Sequence, residues 1–463
     1  MKKFGLYPEL PIFEDSYLCG SENGEPKEWI LIGKLSEYGR HYPVHFDITK
    51  EKVIAIFGKR GQGKSYTLGS FIEGLCTSEK ETPISSIGKS RGVLVFDTLN
   101  IFQWTNVSVN AAADQSAEMK NQAALLKAWS LPTISLDVDI WVPAGYRYDM
   151  YPDLYRDLYI HVPDLTVDDW GSLLELDIIR DIKGQFLSEI FNKAVNIGWT
   201  DNNGVEHSPN LEYSISDLVD CIRNDNDIEE YRSDTRRAIL QQLLAYSKHP
   251  IFSESGTPLK ELIKPGRASV ILLNLLPEDL RGVLVSILIR RLLKERAEAS
   301  EIAKDLMINP NVSVEQRAEM KKLVEESVPK TSVVIDEAQN LIPSSGFTSA
   351  TKNIIKFVKE GRNFGLSFIV TTQQPRALDV NILSQVETFI VHKLASQTDI
   401  EHILYNLKSP LPSEIKDGTS TITAKELIRD ISIGQALVSD TNTDRAFVME
   451  IKPRVSAHGG FEA

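Results

Sequence analysis

One stretch of the sequence decides the fold: residues 53–65 read VIAIFGKRGQGKS. Its first five residues form a continuous apolar run, which is typical of a strand buried on both faces of a parallel sheet. The next eight residues match the pattern G-x-x-x-x-G-K-[ST] at every required position. Apolar residues then recur at helical spacing from Leu68 to Leu75. The stretch therefore predicts a strand, a glycine-rich loop and a helix.

A loop of this composition can hold the phosphates of a nucleotide. Glycines let the backbone curl so that its N–H groups point inward, and the following helix directs the positive end of its dipole at the same anion. We expect Lys64 to reach the β- and γ-phosphate oxygens and the Ser65 hydroxyl to bind Mg²⁺. The alternative is a glycine-rich turn that binds nothing, which the coincident strand, loop and helix signals disfavour. The predicted ATP-binding residues of this segment are Gly58, Lys59, Arg60, Gly61, Gln62, Gly63, Lys64, Ser65 and Tyr66.

A second motif supplies two carboxylates. Residues 333–337 read VVIDE, an apolar run that ends in Asp336 and Glu337. We expect Asp336 to hold Mg²⁺ and Glu337 to act as the general base that polarises the attacking water. By itself, the run is equally consistent with a strand that enters a solvated turn. Together with the phosphate-binding loop, it predicts an ATPase that uses ATP and Mg²⁺.

A third apolar run, LSFIVTTQ at residues 366–373, also ends in polar residues. We expect Thr372 or Gln373 to emerge beside the γ-phosphate, where Gln373 could act in catalysis as a sensor. The alternative is a polar strand end without a ligand, since such ends are common.

The remaining pattern predicts an α/β protein. Short Val/Ile-rich runs at residues 93–97, 269–274, 332–335 and 389–391 are separated by helical patterns, as in a parallel sheet covered by helices. We predict a short β-rich segment at 1–50, an ATPase core at 51–153 and 263–451, a helical insertion at 154–262, and a C-terminal tail at 452–463. The charged stretch 290–326 is interpreted as one or two solvated helices, broken near Asn309 and Pro310.

Composition excludes several classes of protein. No apolar run reaches the roughly 18 residues of a membrane span, and no signal-peptide pattern opens the chain, so we expect a cytoplasmic protein without a membrane partner. Three scattered cysteines do not form a disulfide framework. A net charge of −13 argues against a protein that binds nucleic acid over its whole surface. It does not exclude nucleic acid inside a ring, where a few basic groups of each subunit are repeated around the channel.

Beyond the nucleotide motifs, three blocks occur in order: EGRNFGLS at 360–367, TQQP at 372–375 and ILSQ at 382–385. With these blocks, the sequence from Trp29 to the C-terminus resembles the HerA/FtsK family of ring ATPases, in particular HerA-type proteins with a helical insertion. The resemblance implies a RecA-like core of the additional-strand, catalytic-glutamate type and a homo-hexamer that hydrolyses ATP between subunits.

The resemblance also implies contacts between subunits. The arginine of the first block in this family reaches into the neighbour's site, which gives Arg362 a catalytic role; a surface arginine at a helix end is the alternative. HerA-type C-termini lie across the next subunit near its nucleotide, so Arg445 and Arg454 are further ATP-binding candidates, and an ordinary charged tail is equally consistent. The segment before the phosphate-binding loop is short for the N-terminal barrel of longer HerA proteins.

Two functions are compatible with this resemblance. The first is a hexameric motor that translocates double-stranded DNA and works with a nuclease or other effector, in antiphage defence or DNA end processing. The second is a ring-shaped scaffold ATPase that assembles and activates a partner nuclease or NADase, with little translocation of its own.

Overall fold

A computed structural model describes residues 12–13, 16–21, 26–36, 42–76, 82–87, 90–112, 116–147, 153–409, 411–417 and 420–460. The strands are β1 Ile12–Phe13, β2 Ser16–Cys19, β3 Trp29–Leu35, β4 Pro43–Asp47, β5 Val53–Phe57, β6 Ser85–Ser86, β7 Arg91–Asp97, β8 Val138–Pro143, β9 Tyr155–Leu158, β10 Ile160–His161, β11 Trp199–Thr200, β12 Glu206–His207, β13 Phe252–Ser253, β14 Ala268–Leu272, β15 Lys330–Ile335, β16 Leu366–Thr372, β17 Thr388–Val391, β18 Ile415–Asp417, β19 Ser420–Ile422, β20 Gln435–Asp440 and β21 Arg445–Ile451.

The α-helices are α1 Lys64–Leu75, α2 Val109–Ala112, α3 Ala117–Ala128, α4 Val167–Leu173, α5 Ile182–Asn192, α6 Ile215–Asn224, α7 Ser233–Tyr246, α8 Leu259–Leu262, α9 Glu278–Ile308, α10 Val314–Glu325, α11 Thr351–Glu360, α12 Val380–Leu383, α13 Gln397–Asn406 and α14 Ala424–Asp430. Of these described helices, four begin at a capping box: α4, α6, α10 and α14. In this motif, the side chain of the residue before the helix accepts from the backbone N–H of the third helical residue, whose side chain accepts from the backbone N–H of the first of the two.

The centre of the main sheet is parallel. Its strands lie in the order β17-β5-β16-β15-β7-β14-β8-β9, and each pair in this run is parallel. Strand β16 lies between β5, which leads into the phosphate-binding loop, and β15, which leads into Asp336. The predicted α/β class, with a RecA-like parallel core and an additional strand, is confirmed. Because all these strands run the same way, their carboxyl ends meet at one edge of the sheet.

The sheet continues on one side with strands that pair antiparallel, except for the parallel pair β2 and β4. Strand β20 pairs with β17, β21 with β20, and β3 with β21 in the register Met449 to Leu35. Strands β4, β2 and β1 complete this side. The described part of the predicted N-terminal β element thus extends the ATPase sheet. The boundaries of the predicted segments stay a prediction.

Helices α4 to α7 occupy the predicted helical insertion and pack through buried apolar residues such as Trp170, Phe186 and Leu218. Helix α9 is 31 residues long, and its N-terminal half is buried. It ends before Asn309, and α10, which follows, buries none of its residues. The charged stretch therefore forms a helix pair broken where the sequence predicted it.

Within the described part of the chain, no helix combines the length and apolar character needed to cross a membrane. The three cysteines, Cys19, Cys76 and Cys221, are buried and free.

Candidate nucleotide-binding and hydrolysis site

The phosphate-binding loop joins β5 to α1 at the carboxyl edge of the sheet. Gly63, the residue before α1, has a φ of 102°, in the left-handed region that glycine adopts without a steric penalty. The loop is tied to the segment after β17, because the Lys59 N–H donates to the Lys393 carbonyl at 2.9 Å. Lys59, Arg60 and Gly61 are exposed at the tip. The local sequence thus forms the predicted strand, loop and helix.

Lys64 extends from the start of α1 toward the acidic strand end. Its side chain is 4% exposed, and its Nζ lies 3.7 Å from Oε1 of Glu337. Burial lowers the pKa of Lys64, while the negative charges of Glu337 and Asp336 act in the opposite direction. The structure therefore brings the predicted lysine and the predicted base together from elements more than 250 residues apart in the sequence.

Asp336 follows β15 and is fully buried. Its Oδ1 accepts a hydrogen bond from the Thr371 hydroxyl, and its Oδ2 has no hydrogen-bond partner among the described residues. Burial raises the pKa of Asp336 to about 7; the Thr371 hydrogen bond lowers it, and the nearby charges of Asp97 and Glu337 raise it further. A buried carboxylate with an unpaired oxygen is a donor to which a cation can bind.

Glu337 is held in a strained backbone conformation, with a φ of 50°. Its backbone N–H donates to Oγ1 of Thr371 at 3.1 Å. Its carboxylate accepts from Nε2 of Gln373 at 2.6 Å, from the Gln373 N–H at 3.2 Å and from Nε2 of Gln339 at 2.9 Å. The predicted partner of the γ-phosphate, Gln373, thus contacts the predicted base and fixes its orientation.

Sequence reasoning assigned no role to Asp97, Thr371 and His392, which the structure places around this site. The Asp97 carboxylate accepts from the Phe102 N–H at 2.7 Å and the Leu99 N–H at 3.1 Å, and so orders the loop after β7. Burial raises the pKa of Asp97. Asp97 ends β7, His392 directly follows β17 and Thr371 is the penultimate residue of β16, so a polar residue at the carboxyl end of a buried strand is the signal that could have identified them.

His392 supports the loop from below. Its Nδ1 lies 2.9 Å from the Gln435 carbonyl, which can only accept, so Nδ1 carries the proton. Its Nε2 is then free to accept from the Thr67 hydroxyl at 2.9 Å. Burial lowers the pKa of His392 to about 4. The imidazole is therefore neutral at physiological pH and links α1 to β20.

Arg362 and Arg445 lie at the opposite edge of the sheet. Arg362 lies in the short 3₁₀ turn Gly361–Phe364 just before β16, and the seven residues of β16 span roughly 20 Å at about 3.3 Å per residue. It forms an ion pair with Glu387, which precedes β17. Arg445 pairs in register with Asp440, which lies opposite Thr388 at the start of β17. Neither arginine can reach the loop of its own chain.

Arg454 does not have the position expected of a contact to a neighbouring subunit's nucleotide. Its side chain is 1% exposed, and its Nε lies 2.6 Å from Oε1 of Glu73 in α1. Lys452 lies 2.6 Å from the other oxygen of the same carboxylate. At Gly69 a Cβ would come within 1.9 Å of the guanidinium, which packs directly against the helix. The physical reason is that a buried carboxylate is costly unless cations lie close to it, and Lys452 and Arg454 of the same chain supply them to Glu73.

A glycine-rich loop whose lysine faces an aspartate and a glutamate across an intervening strand defines a P-loop ATPase. Residues 30–292, more than half of the chain, match the family described as the central domain of the helicase HerA. The chain belongs to this HerA family and is an ATPase. The similarity inferred from the sequence blocks is thereby confirmed.

Two relatives show how far this similarity extends. The DNA double-strand break repair helicase HerA of Sulfurisphaera tokodaii is 24% identical over 419 residues, which cover 86% of this chain and 78% of the relative. The protein of the same name from Sulfolobus acidocaldarius is 25% identical over 296 residues, 61% of this chain and 54% of the relative. In the second case, the match spans about half of the relative's length.

Similar solved structures include VirB4 of Thermoanaerobacter pseudethanolicus, at 15% identity and a TM-score of 0.48, covering 93% of this chain and 98% of VirB4. The bacterial conjugative coupling protein TrwBdeltaN70 matches at 11% identity and a TM-score of 0.44, covering 96% of this chain and 98% of TrwBdeltaN70. Because both TM-scores lie below 0.5, the fold assignment rests on the sheet topology and the family match.

Proposed function

We propose that this chain is the subunit of a homo-hexameric ring motor that hydrolyses ATP to move double-stranded DNA, and that it works with a nuclease or other effector. The observation that carries the proposal is the meeting of Lys64, Asp336 and Glu337 at one sheet edge in a HerA-family chain. The names of the relatives, which are DNA repair helicases, support DNA as the polymer that is moved.

The residues of the site divide the chemistry between them. The loop backbone and Lys64 hold the phosphates, and Glu337 accepts the proton of the attacking water. The hydroxyl of Ser65 and the unpaired Oδ2 of Asp336 are hard oxygens that fit Mg²⁺. Bound Mg²⁺ supplies positive charge against the phosphate oxygens. Gln373 keeps the Glu337 carboxylate oriented through the 2.6 Å hydrogen bond.

The position of Arg362 supports assembly into a ring. It is 41% exposed at the edge opposite its own loop, so any nucleotide that it contacts belongs to another subunit. A guanidinium supplied in this way stabilises the charge of the transition state and makes hydrolysis depend on assembly. Arg362 would have to leave Glu387 to do so.

Mixing two inactive variants tests this arrangement. We expect Arg362→Ala and Glu337→Gln each to lose hydrolysis, and mixed rings to regain part of it. The Arg362→Ala subunit keeps Glu337, and the Glu337→Gln subunit keeps Arg362. Where these two residues meet at an interface of a mixed ring, that site has both catalytic groups. Steady-state ATPase rates at several mixing ratios measure the recovery.

The matched control is Arg223→Ala, which removes an exposed arginine on α6 and should leave the rate unchanged. No recovery at any mixing ratio, with subunit exchange demonstrated, would contradict the role of Arg362 between subunits.

DNA dependence tests the motor itself. We expect duplex DNA to raise the ATPase rate of the assembled protein, and the apparent DNA affinity to fall as salt rises, because phosphate contacts release counterions. ATPase rates are measured with and without duplex DNA across a salt series. A rate that DNA leaves unchanged, but that a co-purified effector raises, would favour the scaffold function instead.

A further inference from the structure

The arginine that is proposed to act between subunits is held by its own chain. Arg362 forms an ion pair with Glu387, and the Arg362 side chain is 41% exposed. While the guanidinium is paired with this carboxylate, it cannot lie against the phosphates of another subunit. The strength of the pair with Glu387 therefore decides how readily Arg362 becomes available.

Glu387 is a fixed acceptor. Its backbone N–H donates to the Val53 carbonyl of β5 at 2.9 Å, and its carbonyl accepts from the N–H and the hydroxyl of Thr441 at 3.0 and 3.1 Å. Its side chain is only 18% exposed, and its Oε2 is buried without a hydrogen-bond partner among the described residues. Because a largely buried carboxylate is costly without a nearby cation, Glu387 requires one.

The backbone of the turn that carries Arg362 is fixed as well. Arg296 of α9 donates from Nε to the Phe364 carbonyl at 2.9 Å, and the Ser300 hydroxyl donates to the Asn363 carbonyl at 3.4 Å. Both carbonyls belong to the two residues that follow Arg362. Arg362 can therefore change its partner by rotation of its side chain while the turn stays in place.

A second cation lies close to the same carboxylate. Lys408 lies just after α13, and its Nζ donates to the Ser384 carbonyl at 2.9 Å. Burial lowers the pKa of Lys408, the negative charge of Glu387 raises it, and the positive charge of Arg362 lowers it further. Lys408 is thus within electrostatic range of both members of the ion pair. Its flexible four-carbon stem lets the ammonium move to Glu387 when the guanidinium leaves.

We propose that Glu387 is a positioning residue that retains Arg362 on its own chain and releases it when a neighbouring subunit presents a nucleotide, after which Lys408 neutralises Glu387. A triphosphate attracts the guanidinium more strongly than a single carboxylate does, because it carries more negative charge and several acceptor oxygens. The proposal rests on the role of Arg362 between subunits and adds its regulation, in which the ion pair with Glu387 competes with hydrolysis.

Glu387→Gln tests the retention. Glutamine keeps the size of the side chain but removes its charge, so Arg362 is released. The rate of ATP hydrolysis by the assembled protein should then rise roughly two- to fivefold, the contribution typical of a partly exposed ion pair. High salt should reduce this difference, because it screens the pair in the unaltered protein. ATP titrations of the steady-state rate at low and high salt measure both effects.

Lys408→Met should have the opposite effect. It removes the replacement cation with little change in side-chain length, so Arg362 stays at Glu387 and the rate should fall by a similar factor. A purely structural role of the two positions would not give opposite effects. The matched control is Glu401→Gln, which breaks the exposed ion pair with Lys425 and should leave the rate unchanged.

An Arg362→Ala background separates the retention from the role between subunits. Its residual single-turnover rate should not respond to Glu387→Gln, because no arginine remains to be released. No gain in Glu387→Gln, or an equal gain without Arg362, would overturn the retention alone. An unchanged rate in Lys408→Met would overturn the exchange with Lys408. If Arg362→Ala by itself hydrolyses ATP at the unaltered rate, the role between subunits fails, and the retention fails with it.

Discussion

Glu337→Gln is expected to lower the rate of ATP hydrolysis by roughly 10²–10⁴-fold, the usual contribution of a general base, while nucleotide binding is retained. A glutamine has the same shape as the glutamate but cannot take the proton of the attacking water. It keeps an oxygen that can accept from Gln373, which lies 2.6 Å from Glu337 in the structure. Loss of the negative charge 3.7 Å from Lys64 should leave phosphate binding intact or strengthen it.

Single-turnover hydrolysis of radiolabelled ATP and calorimetric ATP binding measure the two effects separately. Glu326→Gln, which removes an exposed carboxylate after α10, controls for the change of charge. A turnover rate within a fewfold of the unaltered protein would show that another group accepts the proton. Equal losses in binding and hydrolysis would assign Glu337 to the phosphate contacts instead.

Glu73→Gln should destabilise the protein by about 3–5 kcal/mol, the cost of removing one partner from a buried ion pair. Glu73 and Lys452 are 0% exposed and Arg454 is 1% exposed, so the substitution leaves two buried cations without a counter-charge. The same carboxylate also accepts from the backbone of Val455 and Ser456. Its loss should therefore free the C-terminal segment from α1 as well as lower the stability.

Urea denaturation monitored by circular dichroism measures the stability, and protease sensitivity of the C-terminal segment measures its release. Glu401→Gln is the matched control, because it breaks an ion pair with Lys425 in which both side chains are nearly half exposed, a pair typically worth about 0.2–1 kcal/mol. A loss no larger than that of the control would show that the Glu73 cluster contributes little.

The same cluster gives a pH dependence. Burial alone raises the pKa of Glu73, but the Lys452 and Arg454 charges outweigh it and lower the pKa from 4.5 to about 2. A carboxyl group whose pKa is lowered by folding stabilises the folded protein at pH values above its unfolded pKa. This stabilisation is lost as the pH falls from about 4.5 toward 2. Over this pH interval, the urea denaturation midpoint of Glu73→Gln should therefore fall less steeply with decreasing pH than the midpoint of the unaltered protein.

Much of the candidate site was accessible from the sequence because its signals are local. Lys64 and Ser65 lie within one contiguous motif, and Asp336 and Glu337 end one apolar run. The role of Arg454 was not accessible in this way. A basic residue in a C-terminal tail has the same local pattern whether it lies on a neighbouring subunit or is buried against its own helix, and its partner Glu73 is 381 residues away.

The sequence alone determined the strand, loop and helix of the predicted phosphate site, the acidic strand end and the parallel α/β class, because backbone conformation and strand burial follow from neighbouring residues and their periodicity. Only the tertiary structure decided the strand order, which places β16 between the two motifs and brings Gln373 to Glu337. It also decided that His392 and Thr67, 325 residues apart, meet under the loop, and that the C-terminal segment packs on α1. Such pairs depend on how distant surfaces pack, which no local pattern encodes.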